Sequence, residues 1–547
     1  MLAVNSNALE RWSEHWSSPV AIGPHPNEHF GGPGDVSSNT LERWSERSPC
    51  GDGVEAAPIE GMPPRRILPV LVLLVAVIVL VSVPRLPSGV CYSDAGDLQL
   101  ASATLGITHP PGYAGFVSLG YLATMIPGVD PAYAVSVLCM AIGIVVLILC
   151  VLIQIRLGVD PWAAGTVALL LTAHPRFWHN LTTPEVYMPA LAFVVGAAYL
   201  VLKYAQGGRR RDVYIAAFLF GVAFANRPPV LLTLPFFVTA WWLAARRWEP
   251  SSRRSLKSFL VILGCAALPG LYSLGYLWVR DTPQTPYNYL EHYDAEHHEL
   301  PQSSAGWSAK LERVTWHASA KQFHYRVGND WRGVRAKLRW LRVQLVAYDA
   351  LPYTIMALLG IFGVVMVFQR CLISGILLCG LGLQSVFFVC MFRDVGQAAD
   401  LMPLLFGLAV FSGVTLSTLF PIDGDARRKL LARVLMIAIT VLTVFHVPHR
   451  PKYGASIDAT AFLEEMDLET FPQRSVIIAV WTESLPLLYE QYILGTRPDI
   501  NIVIAQPGNW LRMADGFPGR PVFLVNKDSS LKDRVVTPFR NVWRLTE

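Results

Sequence analysis

Long apolar runs, separated by short polar segments that are often basic, occupy the chain between about residues 67 and 447. A helix needs roughly 20 apolar residues to cross about 30 Å of hydrocarbon, and most of these runs approach that length. Their spacing predicts a polytopic α-helical membrane protein with about eleven transmembrane helices. The runs cover residues 67–83, 132–155, 162–177, 186–204, 212–226, 229–245, 258–279, 350–368, 372–391, 398–419 and 430–447.

Two polar regions flank the predicted membrane domain, which we place at residues 62–448. Residues 1–61 are rich in Gly, Ser and Pro, so we expect either a disordered tail or a segment that natural translation from Met62 omits. Residues 449–547 contain strand-like segments at 475–480, 500–504 and 521–525 and a helix-like segment at 485–494. That alternation predicts a small soluble α/β domain.

The basic residues are distributed unequally between the two sides of this predicted membrane domain. They concentrate in the loops 156–161, 205–211, 246–257, 369–371 and 420–429. An excess of Lys and Arg marks the cytoplasmic side, so these loops are predicted to be cytoplasmic. The longer segments 84–131 and 280–349 and the domain 449–547 are then predicted to be external, on the periplasmic face of a bacterial inner membrane.

Composition supports a membrane protein and excludes several other classes. The chain is 53% hydrophobic and 16% charged, with a mean hydropathy of +0.39, whereas soluble proteins carry about 25% charged residues. A net charge of +5 gives no reason to expect a nucleic-acid partner. Eight cysteines without a CxxC pair predict neither a disulfide framework nor a zinc site.

Two carboxylates three residues apart, Asp94 and Asp97, follow the first apolar run. One interpretation is structural, because Ser93 or Asp94 could cap a helix that begins there. The other is chemical, because the i,i+3 spacing puts both carboxylates on one helix face, where one could act as a general base or both could bind a cation.

The segment H-P-P-G-Y at residues 109–113 comes next, and it can be interpreted in two compatible ways. Its prolines suit a rigid loop that starts the following helix. A histidine fixed at such a helix start, His109, could also contact phosphate, and Tyr113 lies beside it.

Further polar residues fall on the predicted external side at the borders of the apolar runs. They include Glu185, Arg227 and Asp400. Glu185 could equally be a solvated residue at a helix start. The Arg and Lys residues of loop 280–349 are expected to form a solvated surface, or to capture a lipid-linked phosphate. Several ionisable groups on one face predict a polar site at the external membrane surface.

The chain resembles the DUF2723 membrane glycosyltransferase-like family, which includes animal TMEM260-type protein O-mannosyltransferases of GT-C-like fold. The resemblance rests on D-A-G-D at 94–97 and L-G-I-T-H-P-P-G-Y at 105–113, where the family has D-S-G-E and L-G-V-x-H-P-P-G-Y-P. F-W at 177–178, E-V-Y at 185–187, G-V-A-F-A-N at 221–226 and D-L-M-P at 400–403 are also similar. Asp97, Ala95 and Ala114 depart from the family pattern, and Asp97 is one methylene shorter than the usual Glu.

This resemblance implies a glycosyltransferase that moves a sugar from a polyprenyl-phosphate donor to a hydroxyl of a protein, lipid or glycan. Asp94 would be the base, and Asp97 would orient the acceptor, assist Asp94 or bind a cation. His109 and Arg227 would stabilise the leaving phosphate, and Tyr113, Glu185 and Asp400 would line the substrate site. No cofactor is implied with certainty, although a divalent cation bound by Asp94 and Asp97 is compatible with the pattern.

Two other classes of function are weighed against this one. A transporter or flippase of lipid-linked sugars would carry charged residues at mid-membrane and an internal repeat, whereas the unusual polar residues here lie at one edge. A family member that has lost catalysis and acts in assembly would retain the fold. The presence of Asp97 where the family usually has Glu is compatible with such a loss.

Overall fold

The computed structural model describes residues 64–248, 256–302, 304–346, 351–393, 398–420, 426–446, 457–526 and 536–545. The predicted tail 1–61 lies outside the described residues. Throughout the described part, the structure is mainly α-helical, with one small mixed sheet near the C-terminal end.

Every predicted apolar run contains a helix. Those helices are α1 (Pro64–Ser82), α4 (Pro131–Arg156), α5 (Pro161–Thr172), α7 (Tyr187–Gly207), α8 (Arg210–Asn226), α9 (Leu234–Trp248), α10 (Leu256–Arg280), α14 (Leu351–Arg370), α15 (Leu372–Met391), α16 (Met402–Leu419) and α17 (Ala426–His446). Within the described residues, seven helical segments are long and apolar enough to cross a membrane: Arg65–Arg85, Pro131–Arg156, Tyr187–Gly207, Pro228–Trp248, Lys257–Arg280, Leu372–Met391 and Ala399–Leu419. The prediction of a polytopic α-helical membrane protein is confirmed.

The predicted run 162–177 is wrong as a single helix. Helix α5 ends at Thr172, and a separate helix, α6 (Pro175–Thr182), begins after His174. The ring Nδ1 of His174 accepts a hydrogen bond from the backbone N–H of Arg176 at 3.2 Å, which caps α6. Pro175 has no N–H to continue α5 but suits the first turn of a new helix.

Short helices fill the two segments that were predicted as long external loops. Between α1 and α4 lie α2 (Ser93–Thr104) and α3 (Ala114–Thr124). Between α10 and α14 lie α11 (Tyr289–His297), α12 (Trp307–Ala318) and α13 (Trp331–Val346), with a 3₁₀ turn at Lys321–Arg326. These two segments supply most of the residues that line the candidate site.

The sheet of the C-terminal domain has five strands in the order β2-β1-β3-β5-β4. They are β1 (Val476–Ala479), β2 (Asn501–Ile504), β3 (Val522–Leu524), β4 (Val536–Phe539) and β5 (Val542–Leu545). Strand β1 is parallel to β2 and β3, while β5 is antiparallel to β3 and β4. The domain also contains helices α18 (Thr460–Met466), α19 (Trp481–Ile493) and α20 (Trp510–Asp515). The prediction of a small α/β unit is confirmed.

Alternate residues of β1 enter two different apolar cores. Ile477 packs with Leu488 of α19 on one face of the sheet, while Ile478 packs with Trp510 of α20 on the other. This follows from the two-residue period of a strand, which sends successive side chains to opposite faces. Helices therefore cover both faces of the parallel half of the sheet.

The C-terminal domain is joined to the segment that precedes α2. Tyr92 donates its backbone N–H to the carbonyl of Ile457 at 2.8 Å, and Ala459 donates to Val90 at 2.9 Å. Leu100 of α2 belongs to the same apolar core as Leu488 of α19. This joint brings the start of α2 against the sheet domain. A larger core, which includes residues of α1, α4, α5, α7 and α14–α17, holds the membrane helices together.

Candidate active site

The two predicted carboxylates have different environments at the start of α2. The side chain of Asp94 is 52% exposed, whereas that of Asp97 is fully buried. A helix begins at Ser93 with Asp94 in its first turn, as the structural interpretation predicts, but the predicted cap by Ser93 or Asp94 is wrong, because the residue before the helix is Tyr92 and no side chain caps the first turn. Oδ1 of Asp94 instead accepts a hydrogen bond from the indole Nε1–H of Trp481 at 3.1 Å.

Both oxygens of Asp97 are hydrogen-bonded inside the protein. Oδ1 accepts from the phenol of Tyr287 at 2.5 Å, and Oδ2 lies 2.5 Å from Nδ1 of His109. The backbone N–H of His109 also donates to Oδ2 at 3.0 Å. Asp97 is therefore a positioning residue that holds His109, and the expectation that it contacts the acceptor directly is not supported by its burial.

The imidazole of His109 lies between the two carboxylates. Its Nε2 is 4.0 Å from Oδ2 of Asp94, on the opposite side of the ring from Asp97. Burial lowers the pKa of His109, but Asp94 and then the hydrogen bond to Asp97 raise it to about 9. The ring is therefore a cation at neutral pH, with Nδ1–H donated to Asp97 and Nε2–H directed away from it.

The loop that carries His109 is attached to the segment before α11. Ile107 pairs with Asn288, because its N–H donates to the carbonyl of Tyr287 and its carbonyl accepts from Tyr289, both at 3.0 Å. Gly112 has φ +93°, and a side chain there would approach Cδ2 of Leu277 to 2.7 Å. The loop therefore needs glycine at this position.

A buried ion-pair network holds the segment before α11, to which the loop of His109 is attached. Nε and Nη2 of Arg313 donate to the two oxygens of Asp281 at 2.8 and 2.9 Å, and both side chains are fully buried. Nη2 also donates to Glu291, and Asn288 donates to Asp281 at 3.0 Å. The expectation that the basic residues of loop 280–349 form a solvated surface is wrong for Arg313.

Tyr113 and Glu185 both lie close to this centre. The rings of Tyr113 and His109 meet edge to face with centroids 5.1 Å apart. Burial raises the pKa of the Tyr113 phenol well above its ordinary value, so it is a neutral hydrogen-bond donor. Glu185 is partly buried, and burial followed by the charge of Asp94 raises its pKa to about 8. Glu185 does precede a helix, α7, and it is only partly exposed to solvent there.

Arg227 and Asp400 form an ion pair between Nη2 and Oδ1. The guanidinium also lies over the ring of Tyr187, 4.3 Å from its centroid. Asp400 is fully buried, and its Oδ2 has no hydrogen-bond partner among the described residues. Asp400 therefore orients Arg227 from behind, and its predicted place in the substrate-binding set is not supported.

These residues border a cleft of about 910 Å³, which we call the main cleft. Asp94, His109, Tyr113 and Arg227 line it, while Asp97, Glu185 and Asp400 do not. Helix α11 and the 3₁₀ turn contribute aromatic and basic groups to its wall, together with Phe388, Phe392 and Trp481. Those contributions include Tyr289, His292, Tyr293, His297, Phe323, His324, Tyr325 and Arg326. The cleft thus combines one exposed carboxylate with several cations and many rings.

The arrangement does not fit a divalent cation held by Asp94 and Asp97. Both oxygens of Asp97 are already engaged by His109 and Tyr287, and one oxygen of Asp94 is engaged by Trp481. Within the described ranges there is no group of three or more His, Cys, Asp or Glu side chains placed to hold a metal. Hard cations such as Mg²⁺ need several free oxygen ligands.

Two residues of the centre were missed in the sequence. Tyr287 is separated from Asp97 by 190 residues and Trp481 from Asp94 by 387 residues, so no local pattern relates them. Tyr287 belongs to an aromatic segment, Y-N-Y-L-E-H-Y at 287–293, and Trp481 directly follows a predicted strand. Trp481 also begins the segment 481–499, which resembles the post-membrane segment of the DUF2723 family.

One segment of the chain matches a known family, and it contains Asp94, His109 and Arg227 but not Tyr287, Asp400 or Trp481. Residues 94–251 match the family described as the Protein O-mannosyl-transferase TMEM260 N-terminal domain. A solved structure with a similar fold is ArnT from Cupriavidus metallidurans in the apo state, at 14% identity and a TM-score of 0.47. That similarity covers 87% of this chain and 97% of the other.

Two curated relatives carry the same name. The chain is 26% identical over 191 residues to Protein O-mannosyl-transferase tmem260 of Dictyostelium discoideum, covering 32% of this chain and 23% of that protein. It is 29% identical over 210 residues to Protein O-mannosyl-transferase TMEM260 of Mus musculus, covering 37% of this chain and 29% of that protein. The matches thus span about a quarter of each relative. They confirm the predicted resemblance: residues 94–251 are similar to the N-terminal domain of TMEM260-type proteins.

Proposed function

We propose that this protein is a GT-C-like glycosyltransferase that moves a sugar from a polyprenyl-phosphate donor to an acceptor hydroxyl. The observation that carries the proposal is the exposed carboxylate of Asp94 in the same cleft as the cations His109 and Arg227. A base for the incoming hydroxyl and a cationic site for the departing phosphate are the two requirements of such a transfer.

The charges of the main cleft suit an anionic donor. Among the described residues, the guanidinium of Arg227 donates one hydrogen bond, to Asp400, so its other N–H groups can face a phosphate in the cleft. The Nε2–H of His109 is a second donor, because only Nδ1 is bonded to Asp97. Charge-assisted hydrogen bonds of this kind are stronger than neutral ones and favour phosphate oxygens.

In the proposed reaction, Asp94 accepts the proton of the acceptor hydroxyl. The hydroxyl oxygen forms a bond to the anomeric carbon from the side opposite the phosphate, and the bond between that carbon and the phosphate oxygen breaks. The bonding electrons leave with the lipid phosphate, so the anomeric configuration inverts. General-base catalysis of this type contributes roughly 10²–10⁴-fold to the rate.

Asp97 and Tyr287 act through His109 in this scheme. The two short hydrogen bonds to Asp97 hold its carboxylate in place, and the carboxylate fixes the orientation and the charge of the imidazole. The imidazolium stabilises the negative charge that develops on the leaving phosphate. It also keeps Asp94 oriented without a direct hydrogen bond, at 4.0 Å.

The names of the relatives support a choice of sugar and acceptor. Two proteins that match this chain are named protein O-mannosyl-transferases, which favours mannose as the sugar and a protein hydroxyl as the acceptor. The distribution of Lys and Arg favours an active site on the external, periplasmic face of a bacterial inner membrane. The lipid bilayer would then deliver the donor laterally.

Transfer from purified polyprenyl-phosphate mannose, glucose and arabinose tests the proposal. The full chain in lipid nanodiscs is incubated with each donor and with a hydroxyl-bearing peptide, glycan or lipid. We expect transfer from one donor, with a rate that falls roughly 10²–10⁴-fold in Asp94→Asn. Glu312→Gln is the matched control, because Glu312 is also an exposed carboxylate but does not line the cleft.

Two results would contradict the proposal. Equal turnover of wild type and Asp94→Asn would show that Asp94 is not the base. Movement of the lipid-linked sugar across the bilayer without transfer would support the transporter class instead. Labelling of an Asp94→Cys variant by a membrane-impermeant thiol reagent checks the orientation. Labelling from the cytoplasmic side alone would place the site on the other face.

A further inference from the structure

A second cavity, of about 530 Å³, lies beside the main cleft between the start of α2 and the C-terminal domain. Tyr92 and Ser93 form one side of it, and residues of the sheet domain form the other. The described lining residues are Tyr92, Ser93, Ile457, Phe462, Glu465, Met466, Thr482, Glu483, Val525, Asn526 and Asn541. None of the residues proposed for transfer lines this second cavity.

The second cavity lies at the carboxyl ends of parallel strands β1 and β3. Thr482 and Glu483 follow β1, while Val525 and Asn526 follow β3. The chain leaves β1 through α19 towards β2 on one side and leaves β3 towards β4 and β5 on the other, so the connections from the carboxyl ends of β1 and β3 diverge. Parallel sheets bind ligands in the crevice that such a divergence opens.

The described lining of the second cavity is acidic, whereas the main cleft is lined by the cations His109, Arg227 and Arg326. Its described lining residues include two carboxylates, Glu465 and Glu483, and no Lys, Arg or His. Oε1 of Glu483 accepts from Asn526 at 3.4 Å, whereas its Oε2 has no hydrogen-bond donor among the described residues. Burial, followed by the charges of Glu483, Glu465 and Asp458, raises the pKa of Tyr92, which agrees with a negative potential there.

The two cavities adjoin each other at the start of α2, beside the proposed base Asp94. Ser93 lines the second cavity and the next residue, Asp94, lines the main cleft. On the opposite wall, Thr482 lines the second cavity and Trp481 lines the main cleft. The hydrogen bond from Trp481 to Asp94 joins the two walls. Each wall of the second cavity is therefore one residue along the chain from this hydrogen bond, which the proposed base accepts.

We propose that the second cavity binds the acceptor, and that this acceptor is a peptide segment with a Ser or Thr hydroxyl next to a Lys or Arg side chain. The carboxylates of Glu465 and Glu483 complement a cationic side chain, and the amides of Asn526 and Asn541 can pair with a peptide backbone. An anionic donor and a cationic acceptor would then occupy separate cavities on the two sides of Asp94. This inference rests on the proposed glycosyl transfer.

The test compares two peptides that share one Thr and differ only in Lys or Glu at the flanking positions. Their KM values are measured for the wild type and for a Glu465→Gln/Glu483→Gln variant. We expect the wild type to prefer the Lys peptide, and the variant to lose that preference with an increase in KM of about tenfold. Release of sugar from the donor to water, measured without peptide, should be the same in both proteins, because neither Glu lines the main cleft.

Binding of fluorescent peptides, followed by anisotropy, separates this inference from the proposed function. If wild type transfers no sugar, the proposed function fails, but weaker binding of the Lys peptide to the double variant would still support the second cavity as a cationic peptide site. A Glu483→Lys variant should prefer the Glu peptide. Equal binding of both peptides to all three proteins, or transfer to a neutral glycan alone, would overturn the inference.

Discussion

Nδ1 of His109 lies 2.5 Å from Oδ2 of Asp97, and the backbone N–H of the same histidine donates to that oxygen at 3.0 Å. Two contacts to one buried carboxylate fix both the position and the charge of the ring. The relationship assigns the paired carboxylates of α2 different tasks. Asp94 faces the cleft, whereas Asp97 is buried and is hydrogen-bonded to His109 and Tyr287.

Asp97→Asn should shift the pH dependence of transfer. Because the variant removes a charge that raises the pKa of His109, the decline of kcat at alkaline pH should begin at a lower pH than in wild type. We also expect kcat near pH 7 to fall roughly 10- to 100-fold, the value of a hydrogen bond to a charged group. The measurement is kcat between about pH 6 and pH 10.

Two variants serve as controls for this experiment. Asp97→Glu retains the charge and restores the residue typical of the related family, so its pH profile should stay close to that of wild type. Tyr287→Phe removes the hydrogen bond from the phenol to Asp97 but leaves the charge of Asp97 near His109. The pH at which kcat begins to decline should therefore move less than in Asp97→Asn. An unchanged profile in Asp97→Asn would contradict the role of the pair.

The thermal stability of the protein should fall as pH rises towards 9. The pKa of His109 is about 9 in the folded protein against an ordinary 6.5, so its favourable charge is fully present below about pH 6.5 and is lost as pH rises through 9. The effect is a few kcal/mol of unfolding free energy at most. We expect the difference in unfolding midpoint between wild type and His109→Gln to shrink over this window. A difference that grows with pH would contradict the assignment.

Replacing one member of the Arg227–Asp400 ion pair should lower the free energy of unfolding more than replacing both members. Arg227→Met leaves a buried carboxylate and Asp400→Leu leaves a cation without its partner, each costing about 3–5 kcal/mol, whereas the double variant should regain most of that stability. All three variants should bind the donor poorly. The two that lack Arg227 lose its contact with the phosphate, and Asp400→Leu loses the carboxylate that orients Arg227. Unfolding midpoints and donor KM provide the two readouts. A stable double variant with wild-type donor KM would exclude Arg227 from the phosphate site.

The network around Arg313 should control the structure of the site from a distance. Asp281→Asn weakens a fully buried bidentate pair, for which we expect a loss of about 3–5 kcal/mol and reduced transfer, because Asn288 and Ile107 lose their support. Glu291→Gln is the matched control, since this partner of Arg313 is 45% exposed and should cost less than about 1 kcal/mol. Unfolding midpoints of the two variants decide between a structural network and a surface one.

The membrane helices and the parallel half of the sheet were predictable because their signals are local. Apolar runs identified a helix at every predicted span, and the division of 162–177 was also encoded, by the proline at position 175. The three strands 476–479, 501–504 and 522–524 were recognisable as short apolar segments. Hydropathy and strand period report on neighbours along the chain, which is why these elements emerge without tertiary information.

The partners of the candidate site were not predictable in the same way. Asp94 and His109 are close in sequence, but Tyr287, Trp481 and the pairing of Arg227 with Asp400 depend on long-range packing. Asp400 was placed among the substrate-binding residues because a charged residue at a membrane border suggests function. The structure shows that its charge is used to hold Arg227. Nothing in a local pattern distinguishes a carboxylate that meets a ligand from one that meets an arginine behind it.

The contact between Trp481 and Asp94 also has a consequence for biosynthesis. Ribosomes make the base hundreds of residues before they make the indole that holds it, and the C-terminal domain must fold against α2 before the contact can form. Until then, α2 carries the Asp94 carboxylate without this hydrogen bond. If Asp94 is the base, its support therefore depends on a part of the chain that is synthesised 387 residues later.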